Sequence, residues 1–288
     1  MQLAFSKYHG LGNDFAVIDA RSLDIDFPGA LAARLCDRFR GIGADGLLLW
    51  TGSLEKPEMT VVNADGSVPE MCGNGLRCFV KHLLDRQFRD LRVLAVKTGN
   101  GVLHCAATRD GAGDVATVAV QMGVGQHAPS RVPLAQDVPL TDAPVLVGDR
   151  HVHLTALSLG NPHAVTFDSL SADDRALLGP LLERHPLFPQ RANIEFVQVL
   201  ADAPRRMQVD VFERGCGWTQ ACGTGATAAA IVAVEQGRMP RNEEIAVKLP
   251  GGWLFITVAD DGLATMRGPA VHVYDGTLDL TPFLASEA

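Results

Sequence analysis

The chain has 288 residues, a formal net charge of −8 and a pI near 5.5, with 47% hydrophobic and 20% charged residues. This is enough chain for two domains of about 100 to 150 residues each, and the composition is ordinary for a globular protein. An acidic protein without a basic stripe is not expected to bind nucleic acid or an anionic membrane. The N-terminus lacks a basic region followed by an apolar stretch, and no apolar run approaches the ~20 residues of a membrane span. We therefore expect a cytoplasmic protein with neither nucleic acid nor membrane as a partner.

Hydrophobic periodicity predicts a mostly β architecture with one prominent helix in each half. Strand-like runs bounded by Gly, Pro, Asn or Asp are predicted at 15–19, 47–50, 59–63, 91–97, 102–108, 115–122, 151–158, 194–199, 207–213, 245–249 and 253–258. Helical patterns are predicted at 29–39, 75–84, 172–185 and 225–236. The helices at 75–84 and 225–236 are apolar nearly all round, which indicates that each is buried inside its domain.

Two short segments resemble each other, MCGNG at 71–75 and ACGTG at 221–225, and each runs into one of these buried helices. Their cysteines are 150 positions apart, and Asn63 and Glu213 each lie nine residues before the cysteine of their half. Asn13, within HGLGN, is echoed 148 positions later by Asn161, within SLGN. One Cys-Gly-x-Gly alone is more often an ordinary helix entry made of small residues, whereas two copies in register with their flanks indicate a shared function. The near-constant offset predicts two homologous halves whose loops meet at one cleft.

The remaining cysteines have simpler interpretations. Six cysteines in a chain without a secretion signal are expected to be reduced. Cys36, Cys78 and Cys105 fall in helical or strand patterns and are predicted to pack in the core. Cys216 lies in a glycine-rich loop close to Cys222, and packing is favoured there over a supporting role beside that thiol.

Two cofactor motifs are weighed and not favoured. Cys72 with Cys78, and Cys216 with Cys222, form Cys-x5-Cys pairs, but structural zinc sites usually space paired thiolates by two to four residues. The segment GIGADG at 41–46 fits G-x-G-x-x-G, yet a helical pattern precedes it and a strand follows, the reverse of a dinucleotide site. We expect neither a metal nor another cofactor.

The paired cysteines predict acid/base chemistry. At a helix N-terminus, unpaired N–H groups and the positive end of the dipole stabilise a thiolate and can lower its pKa from about 8.5 to about 3.5–7.5. The same N–H groups bind a carboxylate, and the neighbouring glycines allow it to approach the backbone closely. A carbon beside that carboxylate would lie between Cys72 and Cys222, where one sulfur removes the α-proton and the other delivers a new one. This pattern predicts an enzyme that inverts an amino acid.

Seven segments in order, spread over essentially the whole chain, resemble the diaminopimelate epimerase family: HGLGNDF (9–15), NADGS (63–67), MCGNGLRC (71–78), GNPH (160–163), ERG (213–215), ACGTG (221–225) and VYDG (273–276). The resemblance implies a cofactor-independent epimerase that converts LL- to meso-2,6-diaminopimelate, a step toward lysine and peptidoglycan in bacteria. It implies an α+β fold of two pseudo-symmetric domains, each a mixed β-sheet wrapped around a central helix, and usually a homodimer. We place the domains at 1–123, carrying Cys72, and 124–275, carrying Cys222, with the tail 276–288 returning to the first.

The resemblance also assigns roles to individual residues. It implies that Cys72 and Cys222 are the catalytic thiols. The groups implied to hold the carboxylate at the reacting centre are the backbones of Gly73, Asn74, Gly223 and Thr224. Those implied to bind the distal amino-acid end are Asn63, Asn161, Asn193 and Arg214, of which the arginine can grip a carboxylate bidentately. Those implied to surround the reacting end and its ammonium are Asn13 and Glu213, with His163 nearby.

The chain departs from some members of that family near the implied site. Gly46 stands where certain members carry a glutamine that contacts the substrate amine. Cys216 and Trp218 stand where a small apolar residue and a glutamate are common. These differences bear on affinity or distal-end selectivity and leave both thiols and Arg214 in place.

Two alternatives remain open. The first is a two-thiol racemase of another amino acid such as proline or histidine, but those substrates have no second carboxylate for Arg214 to bind. The second is a non-catalytic amino-acid or redox sensor that uses the thiol pair as a switch and binds ligand without exchanging its α-proton.

Overall fold

The computed structural model describes residues 1–24, 26–69, 71–200 and 203–284. The strands are β1 (Gln2–Gly10), β2 (Asn13–Asp19), β3 (Gly46–Gly52), β4 (Pro57–Asn63), β5 (Val93–Thr98), β6 (Gly101–Arg109), β7 (Val115–Val124), β8 (Ala143–Val147), β9 (Arg150–Ser158), β10 (Pro162–Thr166), β11 (Asn193–Val199), β12 (Arg206–Glu213), β13 (Gly217–Trp218), β14 (Glu244–Leu249), β15 (Gly252–Val258), β16 (Leu263–Pro269) and β17 (Val271–Asp279). The helices are α1 (Gly29–Cys36), α2 (Gly73–Arg86), α3 (Ala172–Glu183), α4 (Gly223–Glu235) and α5 (Thr281–Leu284).

The chain forms two compact units, one of Met1–Val120 with Gly268–Ala288 and one of Gln121–Arg267. The domain bounds taken from the sequence, 1–123 and 124–275, remain a prediction. The end of the predicted returning tail, residues 285–288, lies outside the described residues.

The first unit contains a mixed sheet in the order β17-β1-β2-β3-β4-β5-β6-β7. The pairs β1–β2 and β3–β4 are antiparallel, whereas β2–β3 and β4–β5 are parallel. Parallel neighbours need a crossover connection, and α1 and α2 supply the two crossovers.

The second unit repeats this succession. Its sheet runs β8-β9-β10-β11-β12-β14-β15-β16, with β9–β10 and β11–β12 antiparallel and β10–β11 and β12–β14 parallel. Here α3 and α4 are the crossovers, so α3 corresponds to α1 and α4 to α2. The repeated pairing confirms the predicted α+β fold of two similar halves.

Helices α2 and α4 are the buried centres of their units. Helix α2 packs against β1, β2, β4 and β17, and α4 packs against the strands from β9 to β12 and against β14 and β15. The apolar pattern predicts this for α4, whereas α2 also buries Arg77, Lys81 and His82. Buried charges need partners, and the Lys81 ammonium has them in Asp85 (2.8 Å) and the Val115 carbonyl (2.6 Å).

Each predicted strand is present, and the differences lie elsewhere. The prediction missed β1, β8, β10, β13, β16 and β17; in β17 no residue is buried, so no alternation marks it. The helix predicted at 29–39 is too long, because α1 ends at Cys36. The Asp37 carboxylate accepts the N–H groups of Phe39 (2.8 Å) and Arg40 (2.7 Å), which gives the backbone a turn instead of another helical turn.

The cysteine predictions are confirmed for Cys36, Cys78 and Cys105, which are all buried. The packing role expected for Cys216 is wrong, because this residue is exposed. It stands between Gly215 and Gly217, whose φ angles of 78° and 79° make a left-handed turn at the surface.

Within the described residues, no helix combines the length and apolar character needed to span a membrane. In the same part of the chain, no three His, Cys, Asp or Glu side chains are grouped as a metal ion would require.

Gly29, the first residue of α1, packs closely against the loop that follows β4. A Cβ atom at Gly29 would lie 2.5 Å from the carbonyl oxygen of Gly66 and 2.9 Å from its Cα, so the backbone would have to shift. We expect Gly29→Ala to lower the free energy of unfolding in urea by about 1–3 kcal/mol. Gly111→Ala is the matched control, since a Cβ there meets nothing within 4 Å. Equal urea midpoints of unfolding for Gly29→Ala and Gly111→Ala would contradict close packing at Gly29.

Candidate active site

Cys72 and Cys222 have the same local structure in the two units. Each is the N-cap residue of its central helix with extended backbone, at φ −136° and ψ 109° for Cys72 and φ −119° and ψ 108° for Cys222. The Cys72 sulfur accepts the N–H of Gly75 at 3.4 Å, and the Cys222 sulfur accepts the N–H of Gly225 at 3.3 Å. Both thiols therefore stand at helix N-termini, where the first backbone N–H groups have no intrahelical partner.

The two thiols differ in their surroundings. Cys72 is partly exposed, whereas Cys222 is 6% exposed. The Cys222 sulfur lies 3.5 Å from the Thr224 hydroxyl, and the charge of Glu213 acts on this thiol. Glu213 ends β12 and also accepts a short hydrogen bond from the Thr219 hydroxyl.

A second carboxyl group beside Cys222 belongs to Glu195 on β11, and the sequence interpretation missed it. A Cβ atom at Gly225 would lie 2.8 Å from Glu195 Oε1 and 3.2 Å from the Cys222 sulfur, so both groups adjoin this glycine. Glu195 is completely buried, and its Oε2 has no hydrogen-bond partner within the described residues. The available signal was a lone glutamate inside an apolar strand, two residues after Asn193 and so on the same face.

These groups reverse the expected effect of the helix N-terminus on Cys222. Burial raises the pKa of the Cys222 thiol well above its usual value, the charges of Glu213 and Glu195 raise it further, and the bonds from Thr224 and Gly225 lower it. A helix end contributes at most ~2 kcal/mol, whereas full burial shifts a pKa by up to about 3–5 units at about 1.4 kcal/mol each. The prediction of a lowered thiol pKa is therefore wrong for Cys222, because burial and the two carboxyl groups raise this pKa instead.

The pKa values of the two neighbouring carboxyl groups, Glu195 and Glu213, are raised as well. Burial raises the pKa of Glu195, opposed by the adjacent His163. Burial also raises the pKa of Glu213, opposed by hydrogen bonds with Thr219 and Cys222.

A hydrogen-bonded chain links Glu195 to the N-terminus of α4. His163 lies with Nδ1 2.7 Å from Glu195 Oε1 and with Nε2 2.9 Å from Asn161 Oδ1. The Asn161 amide donates to the Thr224 hydroxyl at 3.4 Å, and that hydroxyl adjoins Cys222. The structure thus brings together three residues named from the sequence, namely Asn161, His163 and Thr224.

Asn193 and Arg214 form a second pair in this unit. The Asn193 amide nitrogen donates to the Pro162 carbonyl at 2.9 Å, and its oxygen accepts the backbone N–H of Arg214 at 2.9 Å. The Arg214 guanidinium is exposed and donates to the Gln190 carbonyl at 3.4 Å. Asn193 therefore holds the backbone that carries this arginine.

The Cys72 end of the first unit has a different polar set. Asn74, the second residue of α2, donates to Asn13 Oδ1 at 3.1 Å, and Asn13 donates to Asp45 Oδ2 at 2.8 Å. The buried Arg77 donates to Asn74 Oδ1 at 2.8 Å. Asn13 and Asn74 thus meet, and Asp45 is a further residue that the sequence interpretation did not name.

Asn63 and Gly46 are neighbours at the ends of β4 and β3. The Asn63 amide donates to the Ser67 hydroxyl at 3.0 Å, within the loop that follows β4, and Asn63 pairs with Gly46 in the sheet. A Cβ atom at Gly46 would lie 2.9 Å from the Val62 carbonyl oxygen and 3.4 Å from Phe15. The glutamine that some family members carry at this position would need a shifted backbone here.

Trp218, the other departure from the family pattern, packs on aromatic rings of its own unit. Its ring centroid lies 5.3 Å from that of Phe212 in an edge-on contact and 5.7 Å from that of Phe196. A Cβ atom at Gly179 of α3 would lie 3.2 Å from this indole. The tryptophan thus joins the turn after β12 to α3.

Comparison with solved structures shows which proteins share this fold. A probable proline racemase from Agrobacterium radiobacter matches with a TM-score of 0.72 and 15% identity over 98% of this chain and 94% of that protein. A hydroxyproline epimerase from Agrobacterium vitis matches with a TM-score of 0.70 and 14% identity over 96% of this chain and 91% of that protein. At such identities the similarity establishes the fold.

Sequence comparison identifies the family within that fold. The profile of the diaminopimelate epimerase family matches residues 5–128 and 155–273. The diaminopimelate epimerase of Desulforudis audaxviator is 44% identical over 95% of this chain and 98% of its own length, and that of Synechococcus elongatus is 42% identical over 97% and 99%. The chain belongs to the diaminopimelate epimerase family.

The carboxylates beside Cys222 generate a prediction about its reactivity. Glu195→Gln keeps the shape of the side chain and removes its charge, which disfavours the Cys222 thiolate. We expect the pKa of Cys222 to fall in this variant, so that its alkylation by iodoacetamide begins at a lower pH than in the wild type.

Alkylation is followed by peptide mass spectrometry as a function of pH. The exposed Cys216 serves as the internal reference for the alkylation reaction in both proteins. A Cys222 profile that is identical in the two proteins would show that the charge of Glu195 does not act on this thiol.

Proposed function

We propose that this protein interconverts LL- and meso-2,6-diaminopimelate without a cofactor, by proton transfer at one α-carbon between Cys72 and Cys222. The observation that carries the proposal is the matched placement of the two cysteines as N-caps of buried helices in two units of the same fold. Family membership over nearly the whole chain supports the choice of substrate.

The protonation of Cys222 suggests how the two thiols share the reaction. Cys222 carries its proton because burial and two carboxylates disfavour the thiolate. In one direction Cys72 removes the α-proton and Cys222 delivers its own to the opposite face, and the reverse direction starts from the opposite protonation. The developing charge passes onto the substrate carboxylate, which unpaired N–H groups at the starts of α2 and α4 stabilise.

The remaining residues bind the substrate. At the reacting carbon, the carboxylate is held by the backbones of Gly73, Asn74, Gly223 and Thr224, and the ammonium by the polar groups of Asn13 and Glu213. At the distal end, Arg214 grips the second carboxylate, with Asn63, Asn161 and Asn193 around it. His163 orients the Asn161 side chain, since its ring is hydrogen-bonded to the Asn161 amide oxygen.

The two alternatives are less well supported. Similarity to a proline racemase and a hydroxyproline epimerase is confined to the fold, at 14–15% identity, whereas the curated relatives at 42–44% are diaminopimelate epimerases. A racemase of proline or histidine would leave Arg214 without a carboxylate. A sensor does not require acid/base groups arranged around its thiols, such as Glu213 and Glu195 around Cys222.

Proton exchange in deuterated water tests the proposal. Reduced protein with LL-2,6-diaminopimelate should lose one α-proton signal in the NMR spectrum as the meso isomer appears, and Cys72→Ala and Cys222→Ala should abolish both changes. Proline and histidine are the control substrates. Exchange of either, with diaminopimelate unchanged, would favour the racemase; binding without exchange of any of the three would favour the sensor.

We also propose that the protein acts in the cytoplasm as a homodimer. Three apolar residues of β17, Val271, Val273 and Tyr274, are 43–52% exposed, and a second copy of the chain could cover them. Sedimentation equilibrium should give twice the chain mass of 30.7 kDa, and Val273→Glu should shift the protein toward the monomer. A wild-type monomer at micromolar concentration would rule out this assembly.

A further inference from the structure

Glu183 is the last residue of α3, and two features of its surroundings disfavour the ionised carboxylate. A negative charge at the C-terminus of a helix meets the negative end of the dipole, and the last turn of α3 contains no basic residue. The side chain is also only 2% exposed, so its charge has lost most of its water. A charged residue in such unfavourable surroundings often has a functional role.

The partners of Glu183 indicate what that function is. Its Oε1 accepts the backbone N–H of Gly215 at 3.1 Å and a guanidinium N–H of Arg191 at 3.4 Å, and its Oε2 accepts from Arg184 at 3.1 Å. The two arginines are 49% and 71% exposed, so these ion pairs contribute little to stability. The bond to Gly215 joins a buried charged acceptor to a backbone donor, which is the stronger kind.

Gly215 follows Arg214 in the turn after β12, which is closed by the bond from the Cys216 N–H to the Glu213 carbonyl at 3.1 Å. Its φ of 78° is left-handed, and a Cβ atom at this position would meet nothing within 4 Å. The preceding N–H, that of Arg214, is bound by Asn193 Oδ1 at 2.9 Å. Two consecutive N–H groups are thus held by side chains from two different elements, the end of α3 and the start of β11.

We propose that Glu183 is a positioning residue that fixes the backbone of Arg214, so that its guanidinium is oriented for the distal carboxylate before substrate arrives. This role rests on the proposed function, in which Arg214 binds that carboxylate. An ordered backbone loses less conformational freedom on binding, which increases affinity. The distal carboxylate does not react, so its binding is equal in the ground state and the transition state, and losing it raises KM while kcat is kept.

Glu183→Met tests the proposal, because methionine has a similar length, suits a buried site and has no oxygen to accept from Gly215. We expect KM for LL-2,6-diaminopimelate to rise about tenfold, with kcat changed by less than about twofold. Glu183→Gln is the matched variant that keeps an acceptor oxygen, and its KM should stay close to the wild-type value. Arg184→Ala removes an ion pair and leaves the Gly215 bond, so KM should not change.

The Arg214→Ala background and amide hydrogen exchange distinguish a positioning role of Glu183 from a general loss of structure. In Arg214→Ala, adding Glu183→Met should produce no further rise in KM, because Glu183 acts through that arginine. Amide hydrogen exchange over residues 213–217 should be at least about tenfold faster in Glu183→Met than in the wild type or in Arg184→Ala.

The outcomes distinguish this inference from the proposed function. Wild-type protein that is inactive on diaminopimelate would overturn the function, and the exchange measurement would still decide whether Glu183 holds the turn. A wild-type KM in Glu183→Met, an equal rise in KM in the Arg214→Ala background, or unchanged amide exchange would each overturn the role of Glu183.

Discussion

The cysteine N-cap on a buried helix is the constraint on which both units depend. A central helix needs acceptors for its first N–H groups, and each sulfur accepts one of them, at 3.4 Å for Cys72 and 3.3 Å for Cys222. The parallel pairs β4–β5 and β12–β14 require these crossover helices, so the sheet order places a helix start at the corresponding point of each unit, and the sequence places a cysteine at its N-cap. In this way the fold supplies both the reactive groups and the N–H donors that the proposed reaction needs.

The two units have the same succession of strands and helices, but the side chains around their cysteines differ. Around Cys222 lie two carboxyl groups and a buried histidine, and burial raises the pKa of the thiol. On α2, Asn74 instead joins Asn13 and Asp45 in an amide network, and Cys72 remains partly exposed. Proton transfer between two thiols requires one of them to hold a proton while the other lacks it. In the proposed reaction, the raised pKa of Cys222 favours this residue as the thiol that holds the proton.

The sequence was sufficient to predict the duplicated halves, the two helix starts and most strands, since glycine punctuation and apolar periodicity are local signals. It was insufficient where the outcome depends on neighbours distant in the chain. The pKa of Cys222 is raised first by burial and then by Glu213 and Glu195, all of which depend on the tertiary structure, so local reasoning from the helix dipole gave the wrong direction. Strand β17 was missed because it has no buried face, and α1 was overextended because the Asp37 side chain competes for backbone N–H groups.

Direct titration of the two thiols is the most decisive measurement. Protein labelled with ¹³Cβ-cysteine, with Cys222→Ser used for assignment, gives the ionisation of each sulfur from its carbon shift as a function of pH. We expect Cys222 to remain a thiol through neutral pH and to titrate well above the usual cysteine value of about 8.5. A Cys222 thiolate already formed below pH 7 would show that the helix N-terminus outweighs burial and the two carboxylates, and would contradict the assignment of Cys222 as the thiol that holds the proton.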